Sequence, residues 1–253
     1  MKILLSPAKN LTDQSTLTYE GTIPVFEKEA YQLVKDLKKI KKVGLQELMD
    51  ISLDLATQNV LRFKQWKKAS LQPENAFPAV EVFDGEVYRA LSVTTLESKN
   101  LARLNKDLRI LSGLYGIVKP FDLIYPYRLE MGTKFSPKEG QKNLYDFWGD
   151  KVTKALKKEL DKDEVIVNLA SSEYFKVIRR ELLKNRIITP VFKEFKNGQF
   201  TTVMMYAKHA RGAMTRYLIE HPIADIEELK LYNVDGYQYN ELQSTQDEWV
   251  FIR

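Results

Sequence analysis

The chain has 253 residues, 44% of them hydrophobic and 29% charged, a globular composition long enough to bury a full core. Lys and Arg number 39 against 34 Asp and Glu, a formal charge of +5 that permits an anionic partner without requiring one. There are no cysteines and only two histidines, which excludes disulfides, thiol catalysis, thiolate metal sites and a histidine-rich metal centre.

Lys2 to Leu5 (KILL) is a short apolar run stopped by Pro7, and it predicts a buried strand. Residues 6–24 are rich in Ser, Thr, Asn, Asp, Gly and Pro and predict a loop. Phe26, Ala30, Leu33, Leu37 and Ile40 recur in steps of four and three, one apolar stripe on a helix. Lys35, Lys38, Lys39, Lys41 and Lys42 fill its other face and its C-terminal end, where cations suit the helix dipole. Gly44 is expected to break the run, with one or two further helices up to Trp66. In AVEVFDGEVYRAL the start reads as strand and the part after Gly85 as helix. Residues 94–107 and 144–160 have helical spacing. EVIVNL (164–169) predicts a buried strand. PVFKEF and QFTTVMMYA flank Asn197-Gly198, a hairpin turn pair. A helix from about Ala207 to Glu220 stops before Pro222, and EWVFIR closes the chain as a strand. The pattern predicts an α+β fold, a single domain over 1–253 with a mixed β-sheet flanked by helices, and a helical lobe at about 25–66. The N-terminal apolar run is too short for a signal peptide, and none reaches the roughly 18 residues of a membrane span. A cytoplasmic protein with no membrane partner is expected.

Three predicted strands run into polar loops that precede helix-like sequence: ILL into SPAK, RIL into SGLYG, and VIVNL into ASSEYF. Such ends are where α/β sheets bind ligands. Asn168, Ser171 and Ser172 suit a helix cap, and equally an anion site with Lys176 one turn on. Ser6 and Lys9 have the spacing of a serine nucleophile and lysine base, but the partner motifs of that enzyme class are missing. An anion-contacting Lys9 is the better reading. Lys208, Arg211 and Arg216 lie near a helix start, where cations oppose the dipole, so an anion or acidic neighbour is expected there. No phosphate-binding Gly-rich loop of known spacing occurs. In LSGLYGIVKPFDLIYPYRLEMG, Gly113 and Gly116 permit a tight turn. Lys119, Tyr125, Tyr127 and Arg128 supply cationic and aromatic surface. This stretch reads either as a nucleic-acid-gripping hairpin or as a turn over core aromatics.

KILLSPAKNL, RILSGLYGIVKPFDLIYPYRLEMG, LYDFWGD, VIVNLASSEYFKVI and YAKHARGAMTRYLIE, in that order, resemble the YaaA family of bacterial peroxide stress-resistance proteins essentially end to end. Asn10 stands where the family usually has threonine, and Arg89-Ala90 replaces a usual small-residue step. The resemblance implies an α+β fold with a helix-hairpin-helix-like element and a basic cleft. It implies DNA, duplex or branched, as a partner bound with low sequence specificity. It also implies a role in limiting unincorporated iron and Fenton damage during hydrogen peroxide stress. By analogy the DNA-binding hairpin involves Ser112, Gly113, Tyr115, Gly116, Lys119 and Arg128. No metal site, no cofactor and a monomeric state are expected.

Two readings follow for the cations. One is a DNA-binding stress protein whose cleft gathers Lys9, Lys119, Arg128, Lys176, Lys208 and Arg211. The alternative is an enzyme acting on a nucleotide or other phosphorylated substrate, in a pocket where Ser6/Lys9, Asn168/Ser171/Ser172 and Arg128/Glu130 converge. A third reading is an iron-handling or partner-binding protein without its own chemistry. At least three of Lys9, Asn168, Lys176 and Arg211 are expected around one cavity, with Glu130 or Glu173 balancing charge.

Overall fold

The computed structural model describes residues 1–15, 20–137 and 139–253, so residues 16–19 of the predicted first loop lie outside the described residues. Strand β1 (Lys2–Leu5) leads to helices α1 (Glu27–Leu37), α2 (Lys42–Met49) and α3 (Leu53–Gln65). Next come β2 (Phe77–Pro78), α4 (Ala79–Val82), α5 (Glu86–Leu91) and α6 (Ser98–Asp107). Strands β3 (Leu108–Ser112), β4 (Gly116–Val118) and β5 (Leu123–Ile124) precede helices α7 (Leu144–Trp148) and α8 (Lys151–Lys158). Then follow β6 (Ile166–Asn168), α9 (Ser172–Phe175), β7 (Ile187–Lys196), β8 (Gln199–Thr201), α10 (Met204–Glu220), β9 (Gln238–Tyr239) and β10 (Glu248–Ile252).

The mixed sheet has the order β4-β3-β1-β6-β7-β10-β9, with β8 paired to β7; β2 and β5 pair separately. Its middle, β3-β1-β6-β7-β10, is parallel, and β4, β8 and β9 are antiparallel additions. Parallel strands are covered on both faces, which is why KILL is continuously buried rather than alternating. From β1 the chain moves to β3 on one side and later returns to β6 on the other. The reversal falls between β1 and β6, and their carboxyl ends open a crevice there. One apolar cluster runs from Ile3 through Trp66, Tyr115 and Trp148 to Phe251.

Several expectations need correction. Gly44 lies inside α2, and the break falls at residues 38–41, after α1 has ended at Leu37. Residues 79–82 are a helical turn, not a strand. The helix expected over 144–160 is two helices, separated at Gly149 with φ +48°. The Asn197-Gly198 turn is present, with φ +53° and +80°, the left-handed pair such a turn requires.

The largest correction concerns LSGLYGIVKP. Its flanks are the paired strands β3 and β4, so the stretch is a β-hairpin and not a helix-hairpin-helix. Ser112 through Val118 are buried. The Ser112 hydroxyl accepts from Tyr115 N at 2.8 Å and bonds Tyr127 OH at 2.5 Å. Trp148 Nε1 donates to Gly113 O at 3.0 Å, and Trp66 Nε1 to Tyr115 OH at 2.7 Å. A Cβ on Gly113 would sit 2.2 Å from Leu129 O, and one on Gly116 2.9 Å from the Trp148 ring. These glycines let the hairpin lie against the core, and neither is free to approach a phosphate.

Candidate functional site

A cleft of about 650 Å³ opens at the carboxyl ends of β1 and β6. Its walls come from the loop after β1 (Ser6–Asn10), the start of α5, the 127–130 strap, the turn after β6 and the first half of α10. Ser6 and Ser171 join the two strand ends: their hydroxyls are 3.2 Å apart, and Ser171 N donates to Ser6 Oγ at 2.8 Å. Tyr88 OH ties α5 to the same point by donating to Ser6 O at 2.8 Å. Burial raises the Tyr88 hydroxyl well above its ordinary value, with Tyr127 adding to the effect, so it stays a neutral donor.

Helix α10 presents Met204, Lys208 and Arg211 to the cleft, spaced by four and three on one stripe. Gly212 makes this possible. A Cβ there would stand 1.9 Å from Val87 O, so α10 can lie directly on α5 only with glycine. That lone mid-helix glycine is the sequence signal that α5 belongs to the site, and it passed unread. Glu86, Tyr88 and Arg89 enter the cleft through that contact, whereas Tyr174 enters it from α9, beside Ser172 and Glu173.

The cleft carries five cationic side chains, Lys9, Arg89, Arg128, Lys208 and Arg211, against the carboxylates of Glu86, Glu130 and Glu173. Glu130 is held from both sides, by Lys9 Nζ at 2.8 Å and Arg128 Nη2 at 3.0 Å. Arg89 pairs with Asp84 and Glu86. Glu173 accepts from Gly132 N at 2.9 Å. Arg211 differs. Its Nε is buried without a hydrogen-bond partner, its side chain takes no carboxylate among the described residues, and burial lowers its pKa. Arg128 Nε is also buried and unpartnered. Both residues line the cleft, and the Arg211 guanidinium, which takes no carboxylate among the described residues, suits an oxyanion.

Of the cations expected to gather, Lys9, Arg128, Lys208 and Arg211 do so. Lys119 does not: β4 runs back along β3, and Lys119 N donates to Asp122 Oδ2 near the start of β3. Lys176 is exposed, with Nζ 4.9 Å from the Tyr145 ring centre and outside the cleft lining. Asn168 is buried below the floor, where Oδ1 accepts from Ala170 N and Nδ2 donates to Thr189 Oγ1. Two of the four residues Lys9, Asn168, Lys176 and Arg211 therefore line the cleft, not three. Ser6, Ser171 and Ser172 line it, but Ser171 at the N-cap of α9 makes no side-chain cap bond, because its hydroxyl is turned to Ser6. Arg216 is structural: it donates to Leu91 O, Ser92 O and Thr95 Oγ1 at the end of α5 and pairs with Glu220.

A family model described as "Peroxide stress protein YaaA" matches residues 1–243. The chain belongs to the YaaA family. The UPF0246 protein of Ralstonia pickettii (strain 12J) is 46% identical over 256 aligned residues, covering 100% of this chain and 99% of that protein. The UPF0246 proteins of Polynucleobacter necessarius subsp. necessarius (strain STIR1) and Neisseria meningitidis serogroup B are 45% and 44% identical over the whole chain. Membership assigns this YaaA-family chain a peroxide stress role. With no cysteine in the sequence, that role does not run through a thiol peroxidase or a cysteine sensor. Among the described residues no helix is long and apolar enough to cross a membrane, and no three His, Asp or Glu side chains group to hold a metal ion.

Proposed function

We propose that the protein serves its peroxide stress role by binding DNA with low sequence preference, through phosphate contacts in the cleft at the ends of β1 and β6. The observation that carries this is Arg211. Its side chain is half-buried in the cleft wall with no carboxylate among the described residues, a cost that an anion would offset, and nearby Lys208 and Arg128 add positive potential. The family resemblance supplies DNA as the anion, and with it the limitation of free iron and Fenton damage. On this reading the chain acts as a monomeric, single-domain cytoplasmic protein. Of the residues offered for DNA contact, Arg128 is retained and the buried hairpin residues serve as its support. The test is a gel-shift titration with duplex and branched DNA at two salt concentrations. Binding that weakens with salt, and weakens about equally for all sequences in Arg211→Ala, is expected. No binding at low salt sinks the proposal.

A second reading, an enzyme acting on a nucleotide or other phosphorylated substrate, is favoured by the cleft volume of about 650 Å³, which lies within the range of small-molecule sites. Turnover of a phosphorylated compound by the purified protein, lost in Arg211→Ala, would establish it.

A further inference from the structure

The charge pairing inside the cleft limits what kind of DNA contact it can make. Lys9 and one amino group of Arg128 are committed to Glu130, and Arg89 is committed to Asp84 and Glu86. Arg211 and Lys208 remain without a carboxylate among the described residues. Two free cations match one phosphate group. A duplex presents a charge about every 1.7 Å along its axis and is held by a run of cations. The rim adds a second requirement. Met204 lines the opening and is 62% exposed, and Met205 and Tyr206 beside it are also exposed. Exposed apolar side chains next to an unpaired guanidinium suit a ligand that is anionic at one end and flat and apolar at the other.

We propose that the cleft takes one nucleotide at a time: its phosphate lies on Lys208 and the Arg211 guanidinium, and its base lies against Met204. The DNA recognised is then an unpaired or terminal nucleotide rather than the flank of a duplex. This rests on the DNA-binding reading and narrows it. Extruding or fraying a nucleotide costs least at mismatches, damage and strand ends, so those are the preferred targets.

The experiment is calorimetric titration with deoxyadenosine 5′-monophosphate, deoxyadenosine and inorganic phosphate, followed by competition of the monophosphate against a labelled duplex carrying a single-stranded overhang. The monophosphate is expected to bind and to displace the overhang DNA. Deoxyadenosine and phosphate should each bind more weakly by about tenfold or more, and Lys208→Ala and Arg211→Ala should each cost about tenfold, the loss expected for a charge-assisted hydrogen bond. Lys208 is exposed, so its variant keeps the test open if Arg211→Ala fails to fold. If DNA binds but the monophosphate neither binds nor competes, the single-nucleotide proposal is overturned and the DNA reading stands. If neither binds, both fall. A monophosphate affinity unchanged in both variants overturns the placement in this cleft.

Discussion

The turn after β3 and the junction after β1 and β6 sit at the same end of the sheet, and both carry serines, tyrosines and cations or glycines. They differ in how their polar groups end up. After β3, Ser112, Tyr115 and Tyr127 satisfy one another beneath Trp66 and Trp148. After β1 and β6, Ser6 and Ser171 are satisfied, but Arg211 lines the cleft without a carboxylate among the described residues, and the Nε of Arg128 is buried unpaired. Polar residues at a strand end mark a binding site only where the fold leaves some of them unpaired. Where it pairs them all, they are part of the core.

The strongest challenge to this contrast is Gly116→Val. It places a β-branched residue at φ +71° with its Cβ 2.9 Å from the Trp148 ring. Strain and overpacking together should cost roughly 2–6 kcal/mol. A thermal melt should show loss of most of the folded state. A variant that melts like wild type but has lost DNA binding would return the hairpin to a direct role.

Ser112→Ala should cost about 1–3 kcal/mol, because it orphans Tyr115 N and Tyr127 OH in a dry site. Denaturant unfolding reads this, and DNA affinity of the folded fraction should be unchanged. Arg211→Met tests the other side. Replacing a half-buried, unpaired cation by an apolar side chain should raise stability by about 1 kcal/mol while weakening phosphate binding about tenfold. A loss of stability instead would mean that Arg211 serves the fold.

The smallest effect belongs to the opposite end of the sheet, where charges are paired as fully as in the β3 turn. Glu164 lies 3.1 Å from the N-terminal ammonium and 3.9 Å from Lys2 Nζ. Burial alone would raise its pKa, but the hydrogen bond from Asp161 N and the two ammonium charges outweigh it and hold the value below the ordinary carboxylate range. A depressed folded-state value adds stability above the unfolded value and loses it as pH falls through the folded one. Glu164→Gln should therefore cost under about 1 kcal/mol near neutral pH, with the difference from wild type vanishing in acid. A difference that grows in acid would contradict the pairing.

Much of this was legible in the sequence. KILL and the IVN of EVIVNL are buried strands because parallel pairing favours continuous apolar runs, and EWVFIR closes the sheet as a strand buried over Trp249 to Phe251. The strand-end rule brought Ser6, Lys9 and Ser171 into one site, and the unfavourable placing of cations near a helix start brought Arg211 to it. It failed for Lys119 because β4 is antiparallel, and a strand direction is not written in a three-residue strand. It failed for LSGLYG because two glycines announce a close approach without saying what approaches. Here it is Leu129 and Trp148, not a phosphate. The pairing of Lys9 and Arg128 on Glu130 has no sequence signature, since it joins the first loop to a strap more than a hundred residues away.

The most direct measurement is a crystal structure of the protein with deoxyadenosine 5′-monophosphate. The phosphate should lie within hydrogen-bond distance of Lys208 Nζ and the Arg211 guanidinium, with the base at Met204 and the β3–β4 hairpin untouched. A nucleotide bound against the hairpin or on another face, with the Arg211 guanidinium untouched, would contradict the account.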